Sequence, residues 1–280
     1  MIAFQGEVGA YSHEAVLQTF GNDVCTLPCR TFLDVFMAVE DGQAELGMLP
    51  IENSTAGAIN ESYDLLLDYD LKITREVILP VRHALLAAPG RSMEEIRRVY
   101  SHPAALAQCE KFIARHGWTP VAAYDTAGAA RQIASSGETD AAAIASETAG
   151  RLYGLETLAC GIQDRADNYT RFFVIGRAES ERSARAKTSV VLATRHTPGA
   201  LYACLGEFAT RGINLTKLES RPDRRRPWHY VFYLDFEGHW QDPACGQALV
   251  GLLTHSSFLK VLGSYPAAAP ARPPQTIQTE

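Results

Sequence analysis

The alternation of short β-forming runs with segments of helical length most constrains what this chain can fold into. It extends over the first 178 residues. The pattern predicts strands at 2–5, 24–27, 46–50, 73–79, 99–101, 121–124, 142–145 and 172–175. It predicts helices between them at 12–20, 31–40, 60–68, 103–116, 126–135 and 146–153. Such an order indicates βαβ units and a mostly parallel sheet, and two blocks of about 80 residues predict two lobes.

Residues 179–188 interrupt this order, because five of the ten are charged and none is aromatic; we expect a linker there. Beyond it, the pattern predicts a strand at 189–194, a helix at 198–211, strands at 214–221 and 229–237, a helix at 243–254 and a strand at 258–264. The order βαββαβ is that of a ferredoxin-like domain. Residues 266–280 hold four Pro, four Ala and no aromatic residue, so we expect a disordered tail.

Composition excludes several classes of protein. Of the 280 residues 46% are hydrophobic, and the net charge is −6, so the chain can bury a core and lacks the basic excess of a nucleic-acid binder. No apolar run reaches the roughly 18 residues of a transmembrane helix, and the first residues lack the pattern of a secretory signal. The six cysteines have neither disulfide-framework nor zinc-site spacing. We therefore expect a cytoplasmic protein with reduced thiols.

The segment at 50–55, with the sequence PIENST, is a candidate site because it directly follows a strand that we expect to be buried. Ligands of open α/β sheets bind outside the carboxyl ends of the strands, so Asn53 and Ser54 are placed to contact one. Asn, Ser and Thr are also the preferred residues at a helix N-cap, and spacing alone favours the cap. A cap can still bind an anion through its unpaired backbone N–H groups.

Two further segments lie where a strand meets a helix. At 6–13, two glycines and Ser12 form a turn that could admit a carboxylate or a phosphate, although neither GxGxxG nor a P-loop ending is present. The alternative is a plain turn with Ser12 as the N-cap. Ser101, His102 and Pro103 repeat the arrangement in the second lobe, with Pro103 at the first helical position. A single histidine is more often structural than catalytic, so His102 is not assigned as a base.

Asn168, Thr170 and Arg171 lie immediately before an apolar strand that includes Phe172. A guanidinium is the side chain best shaped to bind a carboxylate through two hydrogen bonds. Arg171 could equally pair with an internal carboxylate such as Asp164 or Asp167, and the spacing favours neither alternative.

The C-terminal domain carries several loop motifs. Gly199, Ala200 and Leu201 open its first helix, while the segments at 212–216 and 219–222 enter and leave its second strand. None pairs a nucleophile with a base, so a second active site is not predicted. A helix opened by glycine could instead receive the carboxylate of an amino acid. The three arginines at 224–226 are most simply a solvated turn.

Taken together, these segments resemble the monofunctional prephenate dehydratase family, in which a catalytic region is followed by an ACT regulatory domain. The resemblance rests on the motifs at 9–12 (GAYS), 50–54 (PIENS), 101–103 (SHP), 170–172 (TRF), 199–201 (GAL), 214–216 (NLT) and 219–222 (ESRP). They occur in the expected order over nearly the whole chain. The chain departs from the family at Glu7 or Val8, where Pro is usual, at Ala10, often Thr, and at Ala104, usually Gln. Ala10 and the segment around residues 53–67 look somewhat like plant arogenate dehydratases.

The resemblance implies an α/β catalytic domain at 1–178 with two lobes, similar to type II periplasmic binding proteins. The lobes would be 1–78 with 165–178, and 79–164; a linker at 179–188, a ferredoxin-like ACT domain at 189–265 and the tail at 266–280 would follow. The implied reaction converts prephenate into phenylpyruvate, CO2 and water during L-phenylalanine synthesis, with feedback by L-phenylalanine. Arogenate dehydratase and a non-catalytic two-lobed amino-acid sensor are the alternatives.

The resemblance also implies roles for individual residues. Thr170, Arg171 and Phe172 would be catalytic, with Thr170 donating to the departing hydroxyl. Substrate would contact Ser12, Asn53, Ser54, Ser101 and Asn168. Phenylalanine would bind at an interface between ACT domains of a homodimer or homotetramer, at Gly199, Ala200, Leu201, Asn214, Leu215, Glu219, Ser220, Arg221 and Pro222. No metal or organic cofactor is implied, nor is a nucleic-acid or membrane partner.

Overall fold

The predicted alternation is present in the structure, a computed structural model that describes residues 1–224 and 228–269. The strands of the described residues are β1 (Ile2–Gln5), β2 (Thr26–Cys29), β3 (Leu46–Asn53), β4 (Gly57–Ala58), β5 (Lys72–Pro80), β6 (Ala84–Ala87), β7 (Arg98–Ser101), β8 (Thr119–Ala122), β9 (Ala141–Ala145), β10 (Glu156–Cys160), β11 (Tyr169–Gly176), β12 (Ala186–Thr194), β13 (Leu215–Pro222), β14 (Tyr230–Glu237) and β15 (Ser256–Pro266). Their α-helices are α1 (Tyr11–Phe20), α2 (Phe32–Glu40), α3 (Asn60–Asp68), α4 (Pro103–Gln108), α5 (Glu110–His116), α6 (Thr126–Ser136), α7 (Glu147–Tyr153), α8 (Ala200–Ala209) and α9 (Pro243–His255).

Two sheets form the N-terminal part of the chain. The first has the strand order β2-β1-β3-β11-β5, with β4 paired to β3, and β1 runs parallel to both β2 and β3. The second has the order β10-β6-β9-β7-β8; β7 runs parallel to β8 and β9, whereas β6 is antiparallel to both of its neighbours. The prediction of a mostly parallel sheet is therefore wrong for the second sheet, which is mixed, as many large α/β sheets are.

Strand β9, predicted at residues 142–145, lies at the centre of the second sheet. Its residues are AAAIA, and all five are buried. Alanine has a low β-propensity, but a strand covered on both faces is selected by burial and by the fit of its neighbours. Helix α6 packs against it through the buried side chains of Ala127, Ala130 and Ile133. The strands β6 and β10 were not predicted: β6 has the sequence ALLA, which favours no one element, and β10 has the sequence ETLAC.

Side-chain caps begin several of the helices that follow strands. Thr31 and Asp34 form a capping box at α2, and the side chains of Asp125 and Ser146 cap α6 and α7. The single helix predicted at 103–116 is two helices, because the backbone leaves helical geometry at Cys109 (φ −117°, ψ 19°). As a result Gln108 ends a short helix and can turn away from α5.

The chain divides into two compact units, one built from Met1–Ser62 and Val77–Phe172 and the other from Tyr63–Glu76 and Phe173–Ala268. The second unit contains an antiparallel sheet of order β13-β14-β12-β15, which with α8 and α9 gives the predicted order βαββαβ. Phe208 and Phe236 lie in its buried core, with ring centroids 5.0 Å apart.

Some predictions concern residues that the structure does not describe. Residues 270–280 of the expected tail and residues 225–227 of the arginine-rich turn lie outside the described residues. In the described part of the chain, no helix combines the length and the apolar character that crossing a membrane requires.

Candidate active site

A cleft with a volume of about 460 Å³ lies within the first compact unit. It is lined by residues that follow the carboxyl ends of parallel strands in both sheets, which is where α/β sheets bind ligands. Ser12 follows β1 and Asn53 ends β3, whereas His102 follows β7 and Asp125 follows β8. Thr170 and Phe172 line the cleft from β11. Among the predicted site residues, the structure thus brings together Ser12, Asn53, Thr170 and Phe172.

The hydroxyl of Thr170 is held by the side-chain amide of Asn53. Asn53 Nδ2 donates to Thr170 Oγ1 at 3.0 Å, and Thr170 is only 8% exposed. An amide nitrogen does not accept hydrogen bonds, so Thr170 must be the acceptor in this contact. Among the described residues Asn53 is the one partner of this hydroxyl, which leaves the Thr170 proton available to a molecule in the cleft.

The orientation of Asn53 is set by its own turn. Its Oδ1 accepts the backbone N–H groups of Thr55 and Ala56, both at 3.0 Å, and the Thr55 hydroxyl at 2.6 Å. Since backbone N–H groups can only donate, the atom facing them must be the oxygen. The segment at 50–55 is therefore the end of a strand and a tight turn. The helix N-cap that spacing favoured for this segment is absent, because α3 begins at Asn60, the predicted residue.

Ser54 and Asn168, two further predicted site residues, form hydrogen bonds around this turn. Ser54 Oγ donates to Asp167 O at 2.8 Å and accepts from Tyr169 N at 2.9 Å, so it holds the start of β11 and does not line the cleft. Asn168 is 2% exposed, and its Oδ1 accepts from Asn53 Nδ2 at 2.8 Å. Asn168 thus contacts Asn53 directly, whereas Ser54 fixes the backbone on both sides of Asn168.

Arg171 is not among the residues that line the cleft. Successive side chains of a strand point to opposite faces, so Thr170 and Phe172 share one face of β11 and Arg171 takes the other. Its guanidinium lies 4.0 Å from the carboxylate of Glu52. Asp167, one of the two partners considered from sequence, pairs instead with Arg165 at 2.8 Å.

Ser101 is fully buried and is not among the residues that line the cleft. Its hydroxyl donates to Ile144 O at 2.5 Å. Helix α4 starts at Pro103, as predicted, but its cap is His102, whose Nδ1 accepts from Ala104 N at 3.2 Å. Ser101, predicted to contact substrate, is therefore neither the cap of this helix nor among the residues that line the cleft. By contrast, Ser12 lies in the first turn of α1, whose N-terminus opens beside the cleft.

Three cleft residues, Gln108, Asp125 and His83, were missed by sequence reasoning. Gln108 Nε2 donates to Thr55 Oγ1 at 3.0 Å; its position one helical turn after Ala104 is the signal that could have revealed it. Asp125 accepts the backbone N–H of Glu7 at 3.0 Å. The position before Glu7 favours glycine, because the φ of Gly6 is +107° and an added Cβ would lie 3.3 Å from the Asp125 carboxylate.

The cleft has few charged groups of its own. Of the described residues that line it, none is Lys or Arg. Burial lowers the pKa of both His83 and His102, so both are neutral at pH 7. A second cavity of about 430 Å³ shares Ala104 and Gln108 with the cleft and carries Lys111 and Arg165. In the described ranges, no cluster of His, Cys, Asp or Glu is arranged to hold a metal ion.

The residues predicted to bind phenylalanine belong to the second compact unit. Gly199 caps α8 with φ +80°, and Ala200 and Leu201 begin the helix. Asn214 precedes β13, the strand at one edge of its sheet, and Leu215, Glu219, Ser220, Arg221 and Pro222 are part of that strand. Arg221 makes a buried ion pair with Asp64 at 3.0 Å, within the same unit.

Known proteins resemble this chain over most of its length. The family model described as prephenate dehydratase matches residues 2–180. Arogenate dehydratase/prephenate dehydratase 2 of Arabidopsis thaliana, a chloroplastic protein, is 46% identical over 277 residues, which are 95% of this chain and 72% of the relative. A prephenate dehydratase from Arthrobacter aurescens, solved in complex with L-Phe, is 34% identical with a TM-score of 0.88, covering 97% of this chain and 92% of that one. The structure of GqqA, described as a novel type of quorum quenching acylase, is 39% identical with a TM-score of 0.87, covering 95% and 98%.

The family match spans well over half of the chain, and the relatives cover nearly all of it. The resemblance inferred from the motifs is thereby confirmed. The chain belongs to the prephenate dehydratase family of enzymes.

Proposed function

We propose that this chain converts prephenate into phenylpyruvate, CO2 and water. The observation that carries the proposal is the hydrogen bond from Asn53 Nδ2 to Thr170 Oγ1 at the wall of the cleft. It makes Thr170 a directed hydroxyl donor, which is the group that loss of a ring hydroxyl requires.

In the proposed reaction, the bond between the ring and its carboxylate breaks and releases CO2. The electron pair of that bond enters the ring, the ring C–O bond breaks, and the hydroxyl leaves as water after it gains a proton. Aromatisation of the ring supplies the driving force, so neither a covalent intermediate nor a cofactor is needed. Thr170 hydrogen-bonds the departing hydroxyl, and Phe172 packs against the ring. Because a threonine hydroxyl is a very weak acid, its contribution is orientation or the relay of a proton.

The carboxylates of the substrate need partners in a cleft whose described lining has no Lys or Arg. Ser12 and the N-terminus of α1 can receive one of them, since the first backbone N–H groups of a helix have no partner within it. A direct contact with Arg171 would require its side chain to turn from Glu52 toward the cleft. Ser54, Ser101 and Asn168 act in this proposal as supports of the site.

Arogenate, the amino analogue of prephenate, is the second candidate substrate. Ala10 lines the cleft, and relatives with both names match the chain. An acylase activity has less support in the cleft. The described partner of the Thr170 hydroxyl is an amide rather than a base that could activate a nucleophile.

The proposal includes regulation. Residues 189–265 would be an ACT domain that binds L-phenylalanine, joined by the linker at 179–188 to a two-lobed catalytic domain at 1–178. The βαββαβ order and the exposed edge strand β13 support it, and so does the L-Phe complex of the Arthrobacter relative. The effector would bind at an interface of a homodimer or homotetramer and disfavour the closed cleft. We propose a cytoplasmic location.

The test is product formation by the purified full chain, with prephenate and arogenate assayed in parallel, each with and without phenylalanine. Turnover of prephenate that falls with phenylalanine is the expected result. Turnover of arogenate alone would replace the substrate and retain the mechanism. Turnover of neither substrate would refute the proposed activity, and unchanged kinetics at saturating phenylalanine would refute the regulation.

A further inference from the structure

A chain of hydrogen bonds leads from Thr170 to His83, a residue that the reaction as described above does not use. Asn53 bonds Thr170 at 3.0 Å and Asn168 at 2.8 Å. Asn168 Nδ2 donates to Gln108 Oε1 at 2.9 Å, and the same oxygen lies 2.8 Å from His83 Nε2. All five residues belong to the first compact unit. His83 lies in the short connection between β5 of the first sheet and β6 of the second.

The contacts of Asn53 determine which atom donates and which accepts in every hydrogen bond of this series. Backbone N–H groups fix Asn53 Oδ1 on the side of its turn, so Nδ2 faces Asn168. The facing atom of Asn168 must then be its oxygen, which leaves its Nδ2 to donate to Gln108. The facing atom of Gln108 is in turn its oxygen. Since this oxygen can only accept, His83 Nε2 must carry a proton.

The other ring nitrogen of His83 has a partner of a different kind. His83 is 2% exposed, and its Nδ1 lies 2.8 Å from the Tyr11 hydroxyl. That hydroxyl also lies 2.8 Å from Arg82 O, a carbonyl acceptor that competes with Nδ1 for its one proton. Burial lowers the pKa of His83, which favours a neutral ring with one proton. Because Gln108 Oε1 can only accept, that proton belongs on Nε2, and Nδ1 is unprotonated.

A His83 proton on Nδ1 in place of Nε2 would disrupt this series of hydrogen bonds. An unprotonated Nε2 would face Gln108 Oε1, and relieving that repulsion requires the Gln108 amide to flip. The flip would place two N–H₂ groups face to face at Asn168, or at Asn53 if Asn168 flipped as well. A single change at His83 therefore disturbs the group that orients Thr170.

We propose that His83 is a positioning residue for the dehydration: its Nε2–H, donated to Gln108 Oε1, keeps the amides of Gln108, Asn168 and Asn53 in one orientation and so keeps the Thr170 proton directed into the cleft. This inference rests on the proposed function. It assigns His83 no contact with the reacting atoms.

Two amide substitutions separate the roles of the two ring nitrogens. In His83→Gln the side-chain N–H₂ can take the place of Nε2 and donate to Gln108. In His83→Asn the shorter side chain places its amide near Nδ1, facing Tyr11, and the donor to Gln108 is lost. We expect kcat to fall roughly tenfold to a hundredfold in His83→Asn and to stay within about threefold of wild type in His83→Gln, with little change in KM. Equal loss of kcat in both variants, or no loss in His83→Asn, would overturn the proposal.

Long-range ¹H–¹⁵N NMR of the wild-type protein tests the inference without catalysis, and it decides the matter where a variant fails to fold. The expected spectrum shows His83 with Nε2 protonated and Nδ1 unprotonated. A proton on Nδ1 alone would overturn the inference. If wild-type protein showed this tautomer but turned over neither prephenate nor arogenate, the proposed function would fail while the hydrogen-bond assignment stood.

Discussion

Replacing Asn53 by Asp tests how the site uses the Thr170 hydroxyl. The substitution keeps the shape of the side chain and the oxygen that caps the turn, but it exchanges the N–H₂ group for a carboxylate oxygen. In the wild type this N–H₂ group lies 3.0 Å from Thr170 Oγ1, and also 2.8 Å from Asn168 Oδ1 and 3.1 Å from Tyr169 O. With a carboxylate there, Thr170 becomes the donor, and its proton points away from the cleft.

The size of the effect follows from that reversal. A hydrogen bond to a charged group contributes about 1.5–3 kcal/mol, and this bond must be broken before Thr170 can donate to the leaving hydroxyl. At about 1.4 kcal/mol for each tenfold change in rate, kcat should fall by a factor of about 10–150. The carboxylate also faces two further acceptors, so we expect the free energy of unfolding to fall by about 2–4 kcal/mol.

The assay is phenylpyruvate formation at saturating prephenate, with urea unfolding measured on the same preparation. Gln132→Glu on the exposed surface of α6 makes the same change from amide to acid away from the cleft, and it should leave kcat unchanged. A folded Asn53→Asp variant that retains more than half of the wild-type kcat would refute the reasoning.

Three further results are expected. Since burial places the pKa of His83 below the unfolded value of about 6.5, the unfolded state binds more protons, and the free energy of unfolding should fall as the pH drops below about 6.5. In urea titrations between pH 7.5 and 5.5, His83→Gln should make the free energy of unfolding less dependent on pH, by up to about 1.4 kcal/mol per pH unit. An unchanged pH dependence would contradict the lowered pKa of His83. Lys260→Met removes an ammonium that donates to three carbonyl oxygens at the end of α3, at 3.2, 3.1 and 2.6 Å, and it should lower the free energy of unfolding by about 1–3 kcal/mol. The matched control is Lys72→Met: the side chain of its partner Asp70 is 84% exposed, so this variant should lose less than about 1 kcal/mol. Equal losses in the two variants would contradict this prediction. Burial raises the pKa of the Cys109 thiol to about 12, whereas Cys25 and Cys160 are exposed, so a thiol reagent followed by mass spectrometry should modify these two before Cys109. Labelling of Cys109 at the same rate would contradict its burial.

Much of the local structure could be predicted, because it depends on neighbours in sequence. Helix α3 occupies the predicted residues 60–68, and β1 the predicted 2–5. The position of Asn53 at the carboxyl end of a strand followed from the strand pattern alone, and the motifs of a recognised family added Thr170 and Phe172. These two residues share a face of β11. The same alternation places Arg171 on the other face, a consequence of strand geometry that the sequence reasoning did not apply.

The rest depends on contacts between distant segments. Gln108 and His83 are 25 residues apart, and Gln108 is 60 residues from Asn168; only the packing of the two sheets makes them neighbours. The sequence around Ser101 resembles that of a ligand-binding serine, but its hydroxyl donates to Ile144 O of the neighbouring strand β9. Strands β6 and β10 were not predicted, and they pair with segments distant in sequence, β6 with β9 and β10 with β6.

The most direct test of the account is the kcat of Thr170→Ala for prephenate, compared with Thr170→Ser. Serine keeps a hydroxyl that Asn53 can orient, whereas alanine removes it. The account predicts a loss of about a hundredfold or more for Thr170→Ala, as for removal of a general acid, with Thr170→Ser retaining most of the activity and with both variants folded. Near-normal turnover by Thr170→Ala would contradict the account and remove Thr170 from the reaction.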